Sequence, residues 1–99
     1  MSEFLIRLAK RILRRARQHN HPMAKTIGKD VEGLAKQLKE DLKWVRECGK
    51  GAYLEAGNYC LTWADKDHAN LTICDKLPST KNAKILEVHR IPFKEAEVD

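Results

Sequence analysis

Ninety-nine residues, 42% hydrophobic and 33% charged, suit a single globular domain with a modest core and exclude a disordered chain. No apolar run approaches the roughly 20 residues of a membrane span. Arg7, Lys10, Arg11, Arg14 and Arg15 break up the apolar residues near the N-terminus, which argues against a signal peptide and predicts a cytoplasmic, intracellular protein.

The net charge of +5 has a definite location. Residues 1–20 carry Arg7, Lys10, Arg11, Arg14, Arg15 and Arg17 against the single acid Glu3, while acids and bases cancel over the rest of the chain. Such asymmetry points toward an acidic partner.

Ser2 is placed to cap a first helix over about residues 3–18. Leu5, Leu8, Ala9, Ile12, Leu13 and Ala16 share one side of it, with Phe4 and Ile6 at the edges. Arg7, Lys10, Arg11, Arg14 and Arg17 take the other side. Arg15 falls among the apolar residues, its stem along the core edge and its head toward water. Asn20, His21 and Pro22 then end the helix.

A second helix spans about residues 23–48, since Ile27, Val31, Leu34, Leu38, Leu42 and Val45 recur every three or four residues. Gly49 is suited to stop it. The short connection makes the two helices antiparallel neighbours. Trp44 lies off the apolar stripe and is a candidate anchor for a protein contact.

After Gly49-Lys50-Gly51 the pattern alternates, predicting strands over about residues 52–64 and 69–76 joined at Asp65–His68. Setting Trp63 opposite Leu71 puts Leu61 opposite Ile73, Thr62 opposite Thr72 and Cys60 opposite Cys74, so that like faces like. Tyr59, Leu61, Trp63, Leu71 and Ile73 then face the helices. A polar loop leads to a third strand over about residues 83–91, with Ile85, Leu86, Val88 and Ile91 as its apolar members and Pro92 suited to the end of an edge strand. Residues 92–99 read as a short, frayed acidic tail. The fold class is α+β: two antiparallel N-terminal helices on a three-stranded antiparallel meander.

Candidate chemistry is sparse. Cys48, Cys60 and Cys74 lack the paired spacing of a zinc site and read as free thiols. Asp65-Lys66-Asp67-His68 begins like a calcium loop, but Ala69 and Lys76 stand where ligands would be needed. Histidine is a common general acid or base, which makes His68 and His89 candidates, yet nothing in the sequence brings them together. No metal, cofactor or catalytic set is assigned.

The arginine-rich helix carries the main functional signal, because the guanidinium fork pairs well with phosphate and carboxylate. The expected role is a non-catalytic binding or regulatory module, an inhibitor or modulator of a larger machine. Arg7, Lys10, Arg11, Arg14, Arg15, Arg17 and Trp44 would meet an acidic protein surface or, alternatively, a nucleic acid directly. A membrane surface is the weaker partner, since the apolar face of this helix is needed for the core.

Two helices followed by a meander, with Gly57-Asn58-Tyr59 leading into a hairpin, resemble bacterial toxins of the RelE/ParE type over about residues 34–76. The resemblance implies a ribonuclease that cleaves messenger RNA on the ribosome. In that family basic and aromatic strand residues do the work. Here no strand precedes the helices and Cys60 stands where an arginine would be, so no catalytic residue carries over.

Overall fold

A computed structural model describes residues 1–21 and 30–99. Helix α1 spans Glu3–Gln18 and α2 spans Val31–Cys48. Four strands follow: β1 Tyr53–Ala56, β2 Tyr59–Asp65, β3 His68–Cys74 and β4 Ile85–Pro92. A 3-10 turn, Phe93–Glu97, follows β4. The expected start of the second helix, from residue 23, lies outside the described residues as far as residue 29; Asp30 caps α2 through a 2.7 Å bond from the Gly33 amide to its carboxylate. A side chain at Gly33 would collide with that carboxylate, 2.6 Å from where its Cβ would stand.

Local chemistry explains the ends of α1. Ser2 Oγ accepts from the Leu5 amide. At the far end Asn20 takes a left-handed φ of 53°. The His21 and Asn20 amides then return to the carbonyls of Ala16 and Arg17, closing the last turn as a Schellman motif. Gly49, with φ 73°, ends α2.

The strands form one antiparallel sheet in the order β1-β2-β3-β4. This corrects the expected three strands: residues 52–64 are not one strand but two, folded back on each other at Gly57-Asn58, with Ala56 paired to Tyr59. A two-residue loop with glycine first, at φ 54°, matches the twist of the strands it joins.

The β2–β3 register is also corrected, by two residues. Leu61 faces Leu71, Thr62 faces Asn70, Trp63 faces Ala69, and Cys60 faces Thr72 rather than Cys74. A shift of two keeps every side chain on its expected face, so alternation could not distinguish the registers. Tyr59, Leu61, Leu71 and Ile73 are fully buried and Trp63 packs against the core, as anticipated. All three cysteines are free thiols.

The helices cover one face of this sheet. Leu5, Ala9, Ile12 and Leu13 of α1 and Leu34, Leu38, Leu42 and Val45 of α2 meet the inward rows of the strands. The C-terminal segment joins the same core and is not a frayed tail: Phe93 and Ala96 are buried, Ser2 donates to Glu95 at 2.7 Å, and Arg46 reaches Glu97 at 2.8 Å.

Two polar features sit inside. Asn58 is wholly buried at the β1–β2 turn and donates to the Ile12 carbonyl of α1 at 3.2 Å, tying hairpin to helix. Asp41 of α2, 4% exposed, accepts from Tyr59 at 3.1 Å and from Gln37 at 2.7 Å. Burial raises its pKa, and those hydrogen bonds only partly oppose the rise.

Candidate anion-binding surface

The basic residues of α1 fan out over the helix face turned from the core. Spacing at about 100° per residue orders them across this arc as Arg15, Arg11, Arg7, Arg14, Lys10 and Arg17. The tertiary structure treats the two flanks of the arc differently.

On one flank, Arg11 and Arg15 lean over β4. The Arg11 Nε donates to one oxygen of Glu87 at 2.6 Å and the Arg15 Nε to the other at 2.7 Å. His89 Nε2 lies 2.7 Å from the same carboxylate. The Glu87 side chain is only 10% exposed. Burial on its own would raise its pKa; the hydrogen bonds from Arg11, Arg15 and His89 outweigh that and hold the carboxyl down at about 2. Arg15 thus behaves as anticipated for a stem on the core edge, but its head group ends on a carboxylate rather than in water.

On the other flank Lys10 and Arg14 meet no acid among the described residues. Among the described residues, Lys10, Arg14 and Arg17 border a groove of about 360 Å³ together with Leu13, Gln18 and Val31. Lys10 and Arg14 are exposed. Arg7, on the crest between the flanks, makes one long contact of 3.7 Å with Glu3, and both side chains stand largely in solvent. Such a pair is weak in water.

The structure therefore gathers Lys10, Arg14 and Arg17 at one groove, places Arg7 beside them, and sets Arg11 and Arg15 against the sheet. Trp44 is 44% exposed on α2 and is not among the residues lining the groove. Glu87 is the residue that sequence reasoning missed. Its only signal was the single acid of its strand, and its arginine partners lie more than seventy positions away.

A larger cavity of about 460 Å³ opens at the other end of β4, between Arg46, Lys66, His68, Phe93 and Lys94. His68 Nδ1 is 2.9 Å from Asp65, which also takes the Asp67 amide and Arg90. Hydrogen bonds from His68 and the Asp67 amide lower the Asp65 pKa to about 2. This holds the turn; no serine, threonine or cysteine is among the described residues lining the cavity.

No protein-family model, curated protein or solved structure matches this chain. Among the described residues, no helix is long and apolar enough to cross a membrane.

Proposed function

We propose that the chain is a non-catalytic binding module that docks on an acidic protein surface through the Lys10–Arg14–Arg17 flank of α1. One observation carries this reading. Glu87 ties down both arginines of the β4 flank of the basic arc, while Lys10 and Arg14 on the opposite flank border a groove and meet no acid among the described residues. A cation row made only for solvation has no need of such a division.

The groove walls favour protein over nucleic acid as the partner. Half-buried Val31 stands beside the cations, with buried Leu13 beneath it. An acidic protein segment offers an apolar side chain to that wall and carboxylates to the guanidinium forks. A phosphate backbone would use only the charges. Modulation of a larger assembly is the role that suits a small domain of this kind.

The test is affinity capture of the partner from the native cell with wild-type protein and with Lys10→Glu/Arg14→Glu, each with and without nuclease. The expected result is nuclease-resistant, salt-sensitive capture by wild type and loss of capture by the variant, with equal thermal stability of the two. Capture unaffected by the charge reversal overturns the proposal. Capture that nuclease abolishes transfers the surface to nucleic acid.

A further inference from the structure

Among the described residues, strand β4 is the long free edge of the sheet. It pairs with β3 alone, while the opposite edge strand, β1, has only four residues. The apolar members of β4 do not all serve the core. Ile91 is buried, but Ile85 is 66% and Val88 60% exposed, the highest values among the large hydrophobics of the described residues. An exposed edge of this length and character is a template for another strand.

The hydrogen-bond ladder fixes which backbone groups that edge offers. The Phe93 amide donates to the Asp67 carbonyl, and the Cys74 amide to the Asn58 carbonyl. Because amides alternate sides along a strand, Ile91, His89 and Glu87 direct their backbone groups at β3. Arg90 and Val88 direct theirs outward. Pro92, which has no amide, falls on the outward side where none is missed. At the other end the register shift leaves Leu86 unpaired with β3.

We propose that a second copy of the chain pairs with β4 in antiparallel fashion about a two-fold axis at Val88. The alternation allows symmetric registers centred on Glu87, Val88 or His89. A centre at Glu87 sets two carboxylates face to face, and a centre at His89 sets two imidazoles together. A centre at Val88 places Val88 opposite Val88 and Glu87 opposite His89 of the second copy. It is the one register of the three that sets a carboxylate against an imidazole, a hydrogen-bonding pair, and an exposed valine against its own copy. The two-fold axis keeps both helical layers on the same side of the joined sheet. There Glu87 already holds Arg11 and Arg15, and Arg90 of β4 itself is held by Asp65.

Sedimentation equilibrium of the full chain, over a range of concentrations, tests this. Wild type is expected to form a dimer. Val88→Pro removes an amide that the internal ladder does not use, and Val88→Lys adds charge to the edge. Each should weaken the dimer about tenfold or more while circular dichroism stays unchanged. If the proline variant fails to fold, the lysine variant decides. The register is read from a mixed labelled and unlabelled sample, where an intermolecular contact between the α-protons of Glu87 and His89 is expected. A wild type that stays monomeric, a dimer indifferent to Val88→Lys, a contact between two His89 α-protons, or pairing of β4 only with some other chain each overturns the proposal.

Discussion

Replacing Glu87 with Gln removes the charge that fastens α1 to β4 and keeps the side chain's shape and one acceptor oxygen. The carboxyl is held at about 2 instead of an ordinary 4.5. At neutral pH that difference amounts to at most about 3 kcal/mol. Arg11 and Arg15 are 44% and 32% exposed, so solvent screens their side of the pairing. A loss of about 1.5 kcal/mol is the discounted expectation, or about 6–12 °C in Tm for a domain of this size. The folded pKa lies below the unfolded one, so the contribution is complete above about pH 4.5 and disappears as pH falls toward 2. Urea denaturation of wild type and Glu87→Gln at pH 7, 4 and 2 reads both magnitude and sign. The two proteins should differ at pH 7 and converge at pH 2. Equal stability at pH 7, or a gap that survives at pH 2, refutes the assignment of Glu87 as the electrostatic clamp.

Three further outcomes follow from the core. Asp41→Asn should stabilise the protein by on the order of 1 kcal/mol at neutral pH, because burial disfavours the ionised form. Its folded pKa is raised, so the gain should shrink as pH falls below the range where wild-type Asp41 ionises, which a pH series of melting curves will show. Tyr59→Phe deletes the buried donor to the same carboxylate and should cost about 2 kcal/mol by urea titration. Phe93→Ala should cost about 3 kcal/mol, which measures directly whether the C-terminal segment belongs to the core; a cost near zero would return it to the status of a loose tail.

The helices and the inward face of the sheet were legible because burial imprints a period on sequence. Leu5, Leu8, Ile12, Leu34, Leu38 and Leu42 all lie where the helical repeat places them. Strand count was harder. Gly57-Asn58 carries a two-residue hairpin signal, but the four-residue β1 before it is too short to announce itself by alternation. Register was lost for a different reason. Pairing like with like across β2 and β3 ignores the turn, and a bulge between Trp63 and Asp65 shifts the ladder there. The last segment hid because Phe93 and Ala96 reach the core through a 3-10 turn too brief to show a repeat.

Charge posed the deepest difficulty, since a composition records how many cations a helix carries and never which of them a fold has already matched. The tail of the chain compounds this: Glu95 and Glu97 look like surplus acid in sequence, yet one is held by Ser2 and the other by Arg46. A single inward acid, Glu87, turns a uniform basic helix into two unlike flanks. The same acid sits on the strand whose outer edge is open. An inward charge is a common device for discouraging edge pairing. Here Arg11, Arg15 and His89 already satisfy it, which removes the deterrent and leaves Val88 and Ile85 exposed beside an available ladder. On the proposed pairing, the clamp that fixes α1 to the sheet also leaves the β4 edge suited to a second strand, so Glu87→Gln should weaken the fold and the dimer together.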